Sequence, residues 1–135
     1  MYRLRPDIRR ELLIASFAFC GFAIAVEPTI SKIAFGSCAN QNEPQPLLEV
    51  VAEAKPDLFI YLGDNIYGDT RDMKVMREKY EVLAARPEFQ RLKQSTNIIA
   101  TWDDHDFGQD DAGRDYPRKE ESKKIFLDFF DEPEK

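Results

Sequence analysis

Little in this chain announces a specialised architecture. Its 135 residues hold two cysteines, one histidine and six glycines, with no internal repeat and no low-complexity tract. A composition of 43% hydrophobic and 33% charged residues without biased segments excludes an intrinsically disordered chain. Basic excess is also missing. The net charge of −6 lacks the basic footprint that a nucleic-acid-binding surface requires. It does not exclude an anionic substrate, because bound cations invert a local field. No apolar run reaches the roughly 20 residues needed to cross a bilayer as a helix. The length suits one domain with one modest core.

What is present begins with the N-terminus. "MYRLRPDIRRE" carries Arg3, Arg5, Arg9 and Arg10, and the 15-residue apolar run "LLIASFAFCGFAIAV" follows from Leu12 to Val26. A basic leader, a short apolar stretch and the small-x-small triplet Ala23-Ile24-Ala25 read as a signal peptide over residues 1–25. The expected location is therefore exported, periplasmic or extracellular, with membrane contact only through this segment. Arg9-Arg10 before Glu11, Leu12 and Leu13 suggests the twin-arginine route, which carries folded proteins, although Ile8 stands where such signals usually have Ser or Thr. The Sec route and an uncleaved anchor are the alternatives. Phe19 is too large for a lipidation motif at Cys20. Cleavage after Ala25 leaves residues 26–135, with 15 basic against 23 acidic side chains, a net charge of −8 and Cys38 as the sole cysteine. That mature chain cannot form an internal disulfide, so Cys38 calls for another role.

The mature region alternates between strand and helix patterns. "TISKIAFGSC" reads as a strand ending at Gly36, and Pro44 or Pro46 opens a helix carrying Leu47, Leu48, Val51 and Ala54, which Pro56 ends. "DLFIYL" is a continuous apolar strand of the kind buried on both faces. Asp69 or Thr70 is the expected N-cap of a helix with Met73, Met76, Tyr80 and Leu83 on one side. Pro87 begins a short helix, "NIIAT" is another buried strand, and after a long acidic loop "EESKKIFLDFF" is amphipathic. The order β-α-β-α-α-β-loop-α predicts an α/β fold with a mostly parallel sheet. Functional groups in such sheets collect beyond the carboxyl ends of the strands. All three strands end in polar chemistry: Ser37-Cys38, then Asp64-Asn65-Tyr67, then Asp103-Asp104-His105-Asp106.

Several chemistries fail on the residues. Gly63 and Gly68 have the spacing of a phosphate loop, but Asp69 stands where its lysine is needed and would repel phosphate. Ile66 occupies the place of the second aspartate of a haloacid-dehalogenase-type phosphatase, and Ser37 lacks a nucleophile-elbow context. A metal site does better. Asp64, Asp103, Asp104, Asp106, Asp110 and Asp111 gathered at one edge must protonate, spread into water or bind cations. Hard cations such as Ca²⁺, Mg²⁺ or Fe³⁺ favour such oxygen donors. His105, flanked by carboxylates, is a candidate for acid–base or charge-stabilising work, against a merely structural role. Cys38 is a thiolate ligand or a small buried hydrophobe, and Tyr67 a phenolate ligand or a packed ring.

"FGSCANQ", "LFIYLGDNIYGD" and "ATWDDHDFG", in this order and spacing, resemble the PhoD-like (alkaline phosphatase D) metallophosphatases, relatives of the calcineurin-like and purple acid phosphatases. The resemblance runs from about Ile30 to the end of the chain. It implies an exported phosphomonoesterase or phosphodiesterase whose domain is an α/β/β/α sandwich, with iron and calcium as cofactors and a phosphate ester as substrate. It further implies that Cys38 and Tyr67 bind the iron-like metal and that Asp64 bridges it to a second cation. Asp104 would ligate the second cation. His105 would stabilise the transition state or protonate the leaving group. Asn65 would shape the loop, and Asp103 and Asp106 would be further ligands or their supports. Asp110 departs from the family, which usually has asparagine there. No counterpart of the family's later G-D-x-H-type motifs or of its second sheet occurs, so residues 26–135 are expected to form its N-terminal part. The missing C-terminal half would then be required, and alone this part would leave half of the sandwich core exposed. The alternative is a truncated, non-catalytic, acidic cation-binding module of the same fold.

Overall fold

The computed structural model describes residues 29–133. The expected signal segment, residues 1–25, lies outside them. Three strands, β1 (Ile33–Gly36), β2 (Leu58–Leu62) and β3 (Asn97–Thr101), form one parallel sheet in the order β1-β2-β3. Five helices complete the described residues: α1 (Pro46–Ala54), α2 (Met73–Ala84), α3 (Pro87–Ser95), α4 (Asp104–Phe107) and α5 (Lys119–Phe129). The α/β class and the parallel sheet agree with the alternation in the sequence. Among the described residues no helix is long and apolar enough to cross a membrane.

Local chemistry sets the boundaries. Pro46 and Pro87 occupy the first turns of α1 and α3, where a missing N–H costs nothing. Lys55 closes α1 in the left-handed conformation ahead of Pro56. The N-cap of α2 is Asp72 rather than Asp69 or Thr70, its carboxylate accepting from Lys74 N at 2.8 Å. Asp69 and Thr70 are drawn instead into contacts with the loop after β3. β1 is shorter than the apolar pattern suggested because the backbone N–H groups of Ser31 and Lys32 donate to Asp57 Oδ2, each at 2.8 Å, instead of to a strand. The expected acidic loop after β3 contains the single turn α4, nucleated by a reciprocal capping box between Asp103 and Asp106.

The core lies on one side of the sheet. Phe59 and Tyr61 of β2 point into it with Met76, Tyr80 and Leu83 of α2, Phe89 and Leu92 of α3 and Phe126 of α5. Among the described residues nothing covers the other face. Across the register rows Ile33–Leu58–Asn97 and Phe35–Ile60–Ile99, the residues at both edges are exposed, as is Leu62. The expectation that "DLFIYL" and "NIIAT" are buried on both faces is therefore corrected. The physical reason is topological. Two successive right-handed crossovers that advance in one direction place every connecting helix on the same face.

Candidate metal centre

Parallel pairing brings the ends of the three strands side by side, and backbone bonds prolong the alignment into the loops. Cys38 N donates to Gly63 O at 3.2 Å, and Ala39 N to Asp64 O at 2.9 Å. Gly63 turns the chain with φ +104°, and a Cβ there would sit 2.6 Å from Asp103 Cβ. Gly68 allows a similar close approach, because a Cβ would meet His105 O at 2.7 Å and Met76 Sδ at 2.6 Å. The loop after β2 is zipped to the loop after β3 by Gly68 N to His105 O at 3.0 Å and Thr70 N to Gly108 O at 2.8 Å.

The result is a compact cluster of donor atoms. One atom from each of Asp64, Asp104 and His105 lies within 4.8 Å of the others. Asp104 belongs to a second such group with Asp110 and Asp111. Cys38 Sγ is 3.6 Å from Asp64 Oδ2, and the Tyr67 ring lies 4.5 Å from that of His105, centroid to centroid. Cys38 is exposed, which corrects its reading as a small buried hydrophobe. Asp64 is only 9% exposed, and its Oδ1 is buried without a hydrogen-bond partner. A buried carboxylate oxygen left open in this way suits a cation, and the O, O, N and S donors suit a hard or borderline one. The residues present thus fit a metal ion. They identify no particular metal, since exposed acidic groups of this kind are common without one.

Asn65, Asp103 and Asp106 stand behind the cluster. Asp106 is 1% exposed and accepts from Asp103 N at 2.7 Å, from Asn65 N at 3.1 Å and from the Asn65 side-chain amide. Burial pushes its carboxyl up to about 6, against the pull of those N–H groups. Asn65 Nδ2 also donates to Thr101 O at 2.8 Å, tying the loop after β2 to the end of β3. Asp103 caps α4, accepting from Asp104 N at 3.0 Å. Neither Asp103 nor Asp106 belongs to a metal-capable group of histidine, cysteine and acidic side chains among the described residues.

Three positioning residues escaped the sequence reading. Asp69, considered there for its repulsion of phosphate and as an N-cap, has its Oδ1 2.6 Å from His105 Nδ1 while accepting from Asp110 N at 3.0 Å. That hydrogen bond raises the His105 pKa, partly opposed by burial. Gln41, fully buried, accepts from Tyr67 N at 2.8 Å and holds the backbone of the loop. Lys79 of α2 donates to Tyr67 O at 2.9 Å and Gly68 O at 2.7 Å. The sequence offered one hint, a lysine on the helix that follows an acidic loop.

Electrostatics separates the roles of the acids. The Asp111 N–H at 2.6 Å holds the Asp104 carboxyl below its ordinary range, with His105 adding to the effect. Tyr67 is raised, first by desolvation and then by the nearby Cys38 and Asp64, which favours its protonated phenol. Four residues of this edge, Cys38, Asp64, Asp69 and Asp111, adopt positive φ without being glycine. Such strained conformations cluster at functional sites.

No protein-family model, curated protein or solved structure matches the chain.

Proposed function

We propose that the chain acts as a metal-dependent phosphoesterase of the PhoD-like kind its motifs resemble, hydrolysing phosphate monoesters or diesters. The observation that carries this reading is the convergence of Asp64, Asp104 and His105 from two strand ends, with Asp64 Oδ1 buried and unpartnered and Cys38 Sγ 3.6 Å from Asp64 Oδ2. Asp64, Asp104, Cys38 and Tyr67 would hold the cations, iron and calcium on the resemblance. Bound there, such ions neutralise phosphoryl charge and acidify a water. In the hydrolysis a water oxygen bonds to phosphorus, the P–O bond to the leaving alcohol breaks, and the leaving oxygen takes a proton. His105 is the donor of that proton. Asp69 on Nδ1 favours the imidazolium, whose Nε2–H, 3.9 Å from Asp110 Oδ1, would donate the proton. Asp106, Asn65, Gln41 and Lys79 keep the two loops in register and touch no reacting atom.

The test is hydrolysis of p-nitrophenyl phosphate and of its bis-ester by chelator-treated protein reloaded with iron and calcium. Turnover that Asp64→Asn abolishes together with metal retention supports the reading; undiminished turnover and metal content in that variant refute it. Calcium retention without turnover, even when the C-terminal half of the domain is supplied, favours the non-catalytic cation-binding module. The reading includes export with removal of residues 1–25, which an intact Met1 on the exported protein would contradict.

A further inference from the structure

An apolar groove of about 520 Å³ runs between β1 and α1, from Phe35 past Ser37 and Cys38 to Leu47 and Val50. It opens beside the acidic cluster, because Cys38 both lines it and lies 3.6 Å from Asp64 Oδ2. Its walls hold apolar side chains in water: Phe35 is 68% exposed, Leu47 76% and Val50 62%. Among the described residues no basic side chain lines the groove, and its one charged lining residue is Glu43. A phosphate would find no counter-charge there, whereas a neutral apolar group would bury these side chains. A second, independent observation comes from the polar residues of its wall. Tyr61 and Gln45 are buried, yet Tyr61 Oη and Gln45 Oε1 have no hydrogen-bond partner. Gln45 Nε2 is committed to Asn40 O at 3.1 Å, which leaves Oε1 as the open end of the amide. Buried polar atoms without partners are uncommon in folded proteins and call for an explanation such as a ligand or ordered water.

We propose that this groove receives the apolar alcohol portion of the phosphoester, an aryl or short alkyl group, while the phosphoryl group lies at the Asp64–Asp104–His105 cluster. The proposal rests on the phosphoesterase reading and names the substrate class of that same site. A volume of this size accommodates an aromatic alcohol. Selectivity then resides in the leaving group, and polar alcohols such as glycerol lose the apolar contact.

The experiment uses the full chain and naphthol as probe. Amide NMR of chelator-treated protein is expected to show saturable shifts at Leu47, Leu48, Val50 and Tyr61. Val50→Asp, an exposed change on α1, should weaken naphthol binding by at least about tenfold while leaving the His105 resonance unmoved. Leu47→Asp is the second variant should Val50→Asp disturb folding. In the reloaded protein Val50→Asp should lower kcat/KM for naphthyl phosphate relative to glycerol phosphate by a similar factor, mainly through KM. Shifts centred on the bare sheet face at Ile60 and Ile99 would overturn the proposal. So would self-association that Val50→Asp abolishes, since the groove would then be a contact between copies. Hydrolysis without leaving-group preference and without naphthol binding overturns the groove and spares the phosphoesterase reading. Naphthol binding in a reloaded protein that hydrolyses neither ester, even with the C-terminal half of the domain supplied, overturns the phosphoesterase reading and with it the assigned role of the groove.

Discussion

Gly63→Ala probes the juxtaposition on which the candidate metal centre depends. Gly63 sits at φ +104°, a conformation that costs an alanine about 1–2 kcal/mol. The added methyl would also lie 2.6 Å from Asp103 Cβ, 3.0 Å from Asp103 N and 3.2 Å from Trp102 C. Two of those atoms are backbone, so no side-chain rotation relieves the collision, and forcing one carbon into a packed site adds about 1–3 kcal/mol. Together the two effects predict a loss of about 2–5 kcal/mol, a fall in Tm of ten degrees or more for a domain of this size. The displaced turn is the one that carries Asp104, so cation binding should weaken along with stability. Gly113→Ala is the internal control, because nothing lies within 4 Å of a Cβ there and its φ lies outside the left-handed range. Urea and thermal denaturation followed by circular dichroism measure both variants. A Gly63→Ala protein as stable as Gly113→Ala would refute the close packing of the β2 and β3 loops.

Leu83→Ala removes a side chain with no exposed surface from the helical side of the sheet and should cost about 2–5 kcal/mol in urea denaturation, whereas Leu47→Ala on the exposed rim of α1 should change stability little. Asp57 is held below its ordinary pKa of 3.8, first by the backbone N–H groups of Ser31 and Lys32. A depressed carboxylate contributes stability that is present above the unfolded pKa and lost as pH falls through the folded one. Asp57→Asn should therefore be less stable than the parent at neutral pH, with the gap closing below the ordinary carboxylate pKa; a gap independent of pH would contradict the assignment. His105 is the chain's one histidine, so its ring proton gives a single, assignable NMR titration. Its pKa should lie above 6.5 in the metal-free parent and fall in Asp69→Asn, because the Asp69 hydrogen bond is the largest cause of the rise. An unchanged titration would dissolve the pair.

The strands and main helices were legible because periodicity and proline placement were unambiguous. "DLFIYL" and the helix bearing Met73, Met76, Tyr80 and Leu83 could be read with no tertiary information. The bare sheet face was not legible from those strands. A continuous apolar run has the same appearance whether one face or both are covered, and crossover direction decides which. The shift of the N-cap to Asp72 had a related cause, since Asp69 is recruited by His105, 36 positions away. At the metal centre, Asp64, Asp104 and His105 could be singled out because each follows a strand. The parts played by Asp69, Gln41 and Lys79 depend on which loop meets which, and no local spacing encodes that. Asp103 and Asp106 share a motif with the candidate ligands and are separated from them by the capping box, a three-residue geometry that a string of acidic residues does not reveal.

The account stands or falls on whether a cation binds between Asp64, Asp104 and His105. Mn²⁺ titrated into the chelator-treated chain reports this directly, because a paramagnetic ion at the site broadens the His105 ring resonance. The account predicts saturable broadening of His105 in the parent and its loss in Asp64→Asn, with the fold unchanged by circular dichroism. A His105 resonance that stays sharp at saturating Mn²⁺, or one that broadens equally in Asp64→Asn, would contradict it.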